Sequence, residues 1–294
     1  MCPDRATGHA IEAMLLDALG RAPDAKQSVN RAIHLAPGDV AYRHLASQIA
    51  FSDGDPGLAR RHAEAALCLK ARDPRALSDL VLALVEVGDT AGALRLMDLD
   101  DLVRVYDIAA PKGFDSVEAF NQALVAAFDA RATALSTTAP TLVGGVRAPD
   151  TFAFGAAIGA ALNTTIRAVL ARYLADIKAP ANHPVRLGQP AVMDIVSWTN
   201  AMPAGAFERP HIHDAAWISG VFYPEMPPGL KGPAGALVLG PHPKARPRAF
   251  PRPTLTLSPK PGQIVLFPAY VYHQTIPFEG PGRRVSVAFD IREI

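Results

Sequence analysis

Cysteine is nearly absent from this chain of 294 residues: only Cys2 and Cys68 occur, and they form no CxxC pair. Two isolated thiols cannot build a disulfide framework or a cysteine-based zinc site. This pattern favours a reducing compartment, so we expect a cytoplasmic protein.

Long apolar runs and an excess of charge of one sign are also lacking. No stretch reaches the roughly 18 apolar residues that a spanning helix needs, and the opening MCPDRATGHA has no apolar segment typical of a signal peptide. The formal net charge is +1, and lysine and arginine are scattered. We therefore expect neither a membrane nor nucleic acid as a partner.

The composition changes along the chain. Residues 1–135 are rich in Ala, Leu, Arg and Asp at helical spacing, whereas residues 190–294 are rich in Pro, Gly, Val, Phe and Tyr. This change predicts an α+β protein, with a helical N-terminal part and a mainly β C-terminal part. We place the domain boundary between residues 104 and 105, with the core of the second domain in residues 191–294.

The helical part repeats with a period of 34 residues, on which Gly20, Gly54 and Gly88 lie. Other small residues keep the same spacing: Ala25, Ala59 and Ala93, and Ala32 and Ala66. Asp39 and Asp73 stand where helix N-caps belong. This period resembles the tetratricopeptide repeat, a pair of helices that pack through small residues. Such repeats offer a concave peptide-binding surface or serve as a packing or dimer contact, and the sequence leaves both open.

Two further helices are predicted between the repeats and the β part. Asp115, with Glu118 three residues later, is typical of a helix start, and a second helix is predicted over about residues 156–178. Residues 136–151 between them are predicted to be a linker. We expect both helices to brace the outside of the β part.

The C-terminal part contains short strand-like runs separated by proline and glycine. The runs are VMDIVSWTNAM, WISGVFY, GALVL, GQIVLF, YVYHQTI and RRVSVAFDI. At least six short strands within about 100 residues favour a sandwich or a jelly roll.

Three histidines in these runs have the spacing of a metal site. His211 and His213 are two residues apart, so on a strand their side chains point to the same face. His273 lies on a distant strand. Two ligands from one strand and a third from another is how a jelly roll presents a metal, and imidazole suits Fe, Zn, Cu and Ni.

An arginine and a serine lie close behind the third histidine. The turn-like PFEGPG separates His273 from Arg284, which predicts an antiparallel hairpin that brings the two residues together. Ser286 shares a strand face with Arg284. A guanidinium beside a hydroxyl can bind a carboxylate through charge-assisted hydrogen bonds.

These motifs together resemble a known family. The stretches HIHDAAWISGVFYPEMP and GQIVLFPAYVYHQTIPFEGPGRRVSVAFDI, with PKGFDSVEAFNQAL upstream, are similar to the Fe(II)/2-oxoglutarate oxygenases that follow tetratricopeptide repeats in bacterial proteins. The resemblance implies a double-stranded β-helix, Fe(II) as the metal, and 2-oxoglutarate and O₂ as cosubstrates. It also implies a dioxygenase, a hydroxylase of an unidentified substrate, that releases succinate and CO₂.

The resemblance assigns roles to individual residues. Arg284 is expected to bind the far carboxylate of 2-oxoglutarate, supported by Ser286. Tyr223 is expected to hydrogen-bond the cosubstrate or to be a core aromatic residue, and Asn200 to line the pocket.

The expected metal ligands depart from the wider oxygenase superfamily at one position. His213 stands where that superfamily has Asp or Glu. We favour His211, His213 and His273 as the ligands. Asp214 is the alternative to His213, because a bulge could turn it toward the metal.

Two other functions stay open at this stage. One is a cupin-like enzyme that uses three histidines and no 2-oxoglutarate. The other is a non-catalytic interaction protein with repeats that bind and a barrel that is a scaffold. The repeats point to a protein or peptide as substrate, and an oligomer is compatible with the sequence.

Overall fold

The computed structural model describes residues 5–131, 139–187, 192–240 and 253–293. Within those residues the chain forms two compact units that divide between Asp98 and Leu99. We call residues 5–98 the helical unit and the described residues from 99 onward the sheet unit. The predicted domain boundary between residues 104 and 105 stays a prediction. None of the described helices combines the length and hydropathy needed to cross a membrane.

The helical unit consists of consecutive antiparallel helices. They are α1 (Arg5–Ala18), α2 (Ala22–Leu35), α3 (Val40–Ser52), α4 (Pro56–Leu69), α5 (Pro74–Glu86) and α6 (Thr90–Leu96). Gly20, Gly54 and Gly88 follow the first helix of each pair, and all three have positive φ. A left-handed residue ends a helix without a Cβ clash, which explains why glycine recurs there.

The predicted caps of the helical unit are present. The carboxylate of Asp39 accepts a hydrogen bond from the Ala41 amide at 2.9 Å. The carboxylate of Asp73 accepts one from the Ala76 amide at 3.1 Å. Each cap satisfies an amide that the first turn of the helix leaves without a partner.

The sheet unit combines three helices with antiparallel strands, in agreement with the predicted α+β class. Its helices are α7 (Leu99–Leu102), α8 (Val117–Asp129) and α9 (Ala156–Asp176). Its strands are β1 (Arg104–Asp107), β2 (Leu142–Val143), β3 (Val146–Pro149), β4 (Met193–Pro203), β5 (Phe207–Glu208), β6 (Ile218–Glu225), β7 (Leu237–Leu239), β8 (Leu255–Leu257), β9 (Gln263–Pro268), β10 (His273–Thr275) and β11 (Arg283–Glu293).

The strands form a large sheet and two small ones. The large sheet has the order β1-β9-β6-β11-β4-β3, and the small sheets have the orders β10-β7-β8 and β2-β5. All the described pairings are antiparallel. The six runs predicted to be strands each contain a strand.

Helices α8 and α9 contribute to a core with one face of the large sheet, as predicted for bracing helices. Phe120 and Leu124 of α8 and Leu162 and Ile166 of α9 are fully buried in this core. The predicted cap of α8 is wrong by one residue: the hydroxyl of Ser116 accepts the hydrogen bond from the Ala119 amide. Ser116 is still extended, so helical geometry begins at Val117.

The predicted linker over residues 136–151 is also wrong in part. Residues 136–138 lie outside the described residues, but β2 and β3 form within the remainder. Strand β3 pairs with residues 198–201 of β4 and extends the large sheet by one strand. The short apolar runs here find partners only in distant strands, which local sequence does not reveal.

Candidate metal centre

Strand alternation determines which side chains of β11 face the core and which face a pocket. Val287, Phe289 and Ile291 belong to the core shared with α8 and α9. Arg284 and Ser286 have the opposite parity and line the pocket. One face of the large sheet therefore packs against helices, and the other faces the pocket.

The pocket contains every residue that the sequence predicted for the site except Asp214. These are Asn200, His211, His213, Tyr223, His273, Arg284 and Ser286. The empty space of the pocket is about 470 Å³, including the part that is open to solvent.

The three predicted histidines converge in this pocket. Each offers one ring nitrogen, and these nitrogens lie within 4.8 Å of one another. The ring centroids of His211 and His273 are 4.2 Å apart, and those of His213 and His273 are 5.0 Å apart. Imidazoles grouped in this way can hold a metal ion.

The local backbone of His211 and His213 differs from the expected strand. His211 forms only an isolated antiparallel bridge with His273, in which each amide donates to the other carbonyl at 3.0 Å. The His213 amide donates to the Ala269 carbonyl at 3.1 Å. The segment is therefore held by main-chain hydrogen bonds to residues 269–273, and it does not form a regular strand.

Each imidazole has its Nδ1 beside an atom that can only accept a hydrogen bond. The partners are the Arg209 carbonyl for His211 at 2.7 Å, the Val271 carbonyl for His273 at 3.1 Å, and the Asp290 carboxylate for His213 at 2.5 Å. Nδ1 must then carry the proton, which leaves the Nε2 lone pair of each ring free for a metal.

Burial keeps two of these rings in the neutral form that a ligand needs. Burial and the neighbouring His213 lower the pKa of His211, although the Arg209 carbonyl opposes this. Burial and the neighbouring imidazoles lower the pKa of His273 well below its ordinary value. Both rings are thus available as ligands near neutral pH.

Asp214, the alternative ligand, is exposed and lies outside the histidine cluster. His213 is largely buried and belongs to the cluster. Of the two alternatives, the geometry therefore favours His213.

Arg284 lies in the same pocket without a carboxylate partner. Its side chain is 2% exposed. One terminal nitrogen donates to the Gly235 carbonyl at 3.0 Å and the other contacts the Met202 sulfur at 3.0 Å, while Nε has no hydrogen-bond partner in the part of the chain that the structure describes. Among the residues described, no Asp or Glu forms an ion pair with it. Burial lowers the pKa of this guanidinium from its ordinary value.

The predicted hairpin between the His273 strand and the Arg284 strand is wrong. Strand β10 pairs with β7, whereas β11 pairs with β4 and β6. The pairing with β4 spans all 11 residues of β11, whereas β10 has only 3 residues to pair with. The two residues nevertheless line one pocket, because the chain crosses from the small sheet to the large one between them.

Two further polar residues lie near Arg284. Ser286 is on the same strand, β11, and Tyr223 is on the neighbouring strand β6. Both are buried and line the pocket. Burial raises the pKa of Tyr223 to about 12, although Arg284 acts to lower it. The phenol therefore keeps its proton and can donate a hydrogen bond to an acceptor beside Arg284.

Asn200 lines the pocket within a polar group that the sequence did not reveal. Arg147 of β3 donates to the Asn200 side-chain oxygen at 2.8 Å and to Glu208 at 2.9 Å. The second carboxylate oxygen of Glu208 is buried and has no hydrogen-bond partner from the described ranges of the chain. Arg147 lies in the stretch predicted to be a linker, so no sequence signal placed it here.

Two further residues that sequence reasoning missed are Asp290 and Ser219. The Ser219 hydroxyl donates to the same Asp290 oxygen that His213 contacts, at 2.8 Å. Asp290 has the same strand parity as Arg284 and Ser286, and this alternation could have placed it on the pocket face of β11.

The residues fit a metal together with a carboxylate-bearing ligand. Three imidazoles with free Nε2 lone pairs are donors suited to Fe(II), and a buried guanidinium with an unpartnered Nε lies in the same cavity. A cation left buried and unpaired is unfavourable, so an anion is the natural complement of this pocket.

Comparison with known families agrees with this chemistry. Residues 196–290 match the family described as "Putative 2OG-Fe(II) oxygenase". The match covers about a third of the chain and contains all seven pocket residues predicted from the sequence. Fe(II) and 2-oxoglutarate, the cofactors predicted from the sequence, are those named by the matching family.

Several solved structures are similar to the chain at low identity. A prolyl-4-hydroxylase from Pseudomonas putida is 19% identical, with 69% of this chain and 98% of that chain covered and a TM-score of 0.45. A prolyl hydroxylase from Trichoplax adhaerens, in complex with a hypoxia inducible factor fragment, is 14% identical over 76% and 91%, with a TM-score of 0.46. HygX from Streptomyces hygroscopicus, with nickel and 2-oxoglutarate bound, is 15% identical over 68% and 86%, with a TM-score of 0.42. No curated protein matches the chain.

Proposed function

We propose that the sheet unit is an oxygenase that depends on Fe(II) and 2-oxoglutarate and hydroxylates an organic substrate. The observation that carries this proposal is Arg284, a buried guanidinium without a carboxylate partner among the described residues. It shares a pocket with three converging imidazoles. A metal site and an anion site in one cavity are what a keto-acid cosubstrate with a second carboxylate requires.

His211, His213 and His273 would hold the metal through Nε2. When bound, Fe(II) with 2-oxoglutarate and O₂ supplies the chemistry that adds an oxygen atom to a substrate and releases succinate and CO₂. The protein would fix the tautomers of the imidazoles and leave room beside them. The hydrogen bonds at Nδ1 support this role for all three rings.

Arg284 would bind the far carboxylate of 2-oxoglutarate, with Ser286 and Tyr223 as further donors. A guanidinium presents a planar set of donors that matches a carboxylate, and burial strengthens the pairing because water does not compete. Asn200 would line the cavity, held in place by Arg147 and Glu208.

The finer architecture belongs to the same proposal. We assign residues 191–294 to a double-stranded β-helix and residues 1–104 to tetratricopeptide-like repeats. The 34-residue spacing of the left-handed Gly20, Gly54 and Gly88 supports the repeats. A protein or peptide is the substrate class that such repeats favour. The check is whether members of a peptide library raise succinate formation above the rate without substrate; no stimulation by any of them would remove this suggestion.

The test of the function is direct. Purified protein is loaded anaerobically with Fe(II) and titrated with 2-oxoglutarate, and succinate is then measured after O₂ is admitted. We expect 2-oxoglutarate to bind only in the presence of the metal and to be converted slowly to succinate without substrate.

Two results would replace the proposal. Metal binding that is indifferent to 2-oxoglutarate would favour a three-histidine metalloenzyme of the cupin type. Failure of carefully prepared protein to bind any divalent metal would favour a non-catalytic interaction protein.

A further inference from the structure

The three imidazoles differ in what their Nδ1 atoms contact. His211 and His273 donate to backbone carbonyls, which are neutral. His213 alone donates to a carboxylate, that of Asp290, and at 2.5 Å this contact is the shortest of the three. His213 is also the ligand that stands where the wider superfamily has a carboxylate.

The position of Asp290 is set by its own strand, β11, and by the neighbouring strand β6. On β11 it has the pocket-facing parity, and Ser219 of β6 is its direct cross-strand partner. The Ser219 hydroxyl donates to Oδ1 at 2.8 Å, the same oxygen that accepts from His213. Asp290 is 4% exposed, so water cannot take over these contacts.

Among the described residues, Arg292 is the only arginine or lysine that pairs with Asp290, and the contact is long. Arg292 approaches the other oxygen, Oδ2, at 3.6 Å, and the Arg292 side chain is 39% exposed. The closest partners of the carboxylate are thus the Ser219 hydroxyl and the His213 imidazole. Oδ1, the carboxylate oxygen beside the imidazole, thus has no ion-pair partner other than His213 among the described residues.

This arrangement bears on the charge of the metal site. Two imidazoles and a carboxylate cancel one of the two positive charges of a divalent metal, whereas three neutral imidazoles cancel none. A carboxylate that accepts from Nδ1 makes the opposite nitrogen a stronger donor and fixes the orientation of the ring.

We propose that Asp290 is a positioning residue for His213 and supplies, through that imidazole, the negative charge that a carboxylate ligand would bring. Ser219 holds the carboxylate in place. The inference rests on the proposed metal site, and it explains why histidine can serve at the position of the carboxylate.

The experiment measures metal affinity, not turnover. Co(II), which does not oxidise readily, is titrated into wild type, Asp290→Asn, Asp290→Ala and His213→Ala in competition with a chelating dye, and the visible spectrum of the bound Co(II) is recorded. Asp290→Asn keeps the size of the side chain and an acceptor for Nδ1, so it isolates the charge. If Asp290→Ala does not fold, this variant carries the test alone.

We expect Asp290→Asn to weaken Co(II) binding about tenfold and Asp290→Ala up to about a hundredfold, the range typical of residues that support a metal ligand. The bound Co(II) spectrum should shift in both. Asp194→Asn removes an exposed carboxylate from the adjacent β4 and serves as the control, with wild-type affinity expected.

The double variant separates positioning from a merely structural role. In the His213→Ala background, Asp290→Asn should cause no further loss of affinity, because the imidazole through which it acts is gone. Wild-type affinity in Asp290→Asn, or an equal loss with and without His213, would overturn the inference.

The same titrations keep the two proposals apart. Wild-type protein that binds Co(II) but not 2-oxoglutarate would remove the oxygenase and leave the role of Asp290 standing. Wild-type protein that binds no Co(II) would overturn the metal site and the role of Asp290 together.

Discussion

Each of the two units of this protein buries a basic side chain, and the two side chains differ in the groups that surround them. In the helical unit, His44 is 7% exposed and its Nε2 contacts the Asp73 carboxylate at 2.9 Å. Its Nδ1 lies 3.8 Å from Asp79. In the sheet unit, Arg284 is 2% exposed and no carboxylate pairs with it among the described residues.

The difference distinguishes a charge that has its partners within the fold from a charge that we propose is paired by a ligand. The carboxylates of Asp73 and Asp79 lie beside His44, so a positive charge on this ring has negative partners within the fold. Arg284 has a carbonyl and a sulfur as partners, which do not compensate a full positive charge. A cosubstrate carboxylate would, and the histidine cluster in the same pocket indicates where its other end binds.

The largest effect should come from the histidine cluster. Replacing His273 by alanine removes a metal ligand, and we expect Co(II) affinity to fall by more than roughly 100-fold, beyond the range seen for residues that only support a ligand. Dye competition measures it. His34→Ala, at an exposed helical position, is the control. Equal affinities of the two variants would remove His273 from the site.

Arg284→Met should weaken the binding of 2-oxoglutarate without lowering the stability of the fold. Loss of one partner of a buried charge pair costs about 2–5 kcal/mol, which is roughly 30-fold to several-thousand-fold in affinity. Because the charge is unpaired in the ligand-free protein, the thermal midpoint without ligand should stay the same or rise. Calorimetric titration and thermal unfolding measure the two effects.

The adjacent Arg283 offers a matched control. It forms paired hydrogen bonds of 2.8 Å with Asp129 of α8 and also contacts Glu225. Arg283→Ala should lower the thermal midpoint and leave 2-oxoglutarate affinity unchanged. The reverse pattern in the two arginine variants would contradict the distinction drawn between paired and unpaired charges.

His44 should show the opposite behaviour to Arg284. Although burial acts to lower it, the hydrogen bond to Asp73 and the negative charges of Asp73 and Asp79 raise the pKa of His44 to about 9. An unfolded histidine has a pKa of about 6.5, so the difference corresponds to about 3 kcal/mol. This stabilisation is complete below pH ~6.5 and is lost as the pH rises through the folded-state pKa.

Urea unfolding followed by far-UV circular dichroism at several pH values checks this expectation. His44→Gln should lower the unfolding midpoint at pH ~6.5 and reduce its decline toward high pH, with Co(II) and 2-oxoglutarate affinities unchanged. His34→Gln serves again as the exposed control. A pH profile that is the same in His44→Gln and wild type would show that the ion pairs do not stabilise the helical unit.

The smallest effect concerns the backbone of the helical unit. Gly54 has φ of +79° and an added Cβ would meet no atom within 4 Å, so Gly54→Ala introduces only backbone strain. We expect a loss of about 1 kcal/mol. Gly8 lies within α1 with equally open surroundings, and Gly8→Ala should stabilise by about 0.5–1 kcal/mol. Effects of the same sign would contradict the requirement for a left-handed residue at Gly54.

Local patterns were sufficient for much of the fold. The change in composition predicted a helical part and a β part, Asp39 and Asp73 predicted helix starts, and each strand-like run contains a strand. Apart from the cap of α8, which was displaced by one residue, the errors lie where contacts are distant in sequence: the hairpin at His273, the linker that forms β2 and β3, and the backbone of His211 and His213. Strand partners are chosen by pairing across the whole sheet, which no local window contains.

By itself, the sequence determined which residues are the candidates for the chemistry. The period of two along β11 places Arg284 and Ser286 on one face whatever that strand pairs with, and histidine spacing marked three residues that converge in the pocket. Only the tertiary structure decided what surrounds them. Among the described residues it leaves Arg284 without an ion pair to a carboxylate, brings Arg147 to Asn200, and sets Asp290 against His213, 77 residues away in the chain. These are contacts between distant segments, and packing, not local preference, creates them.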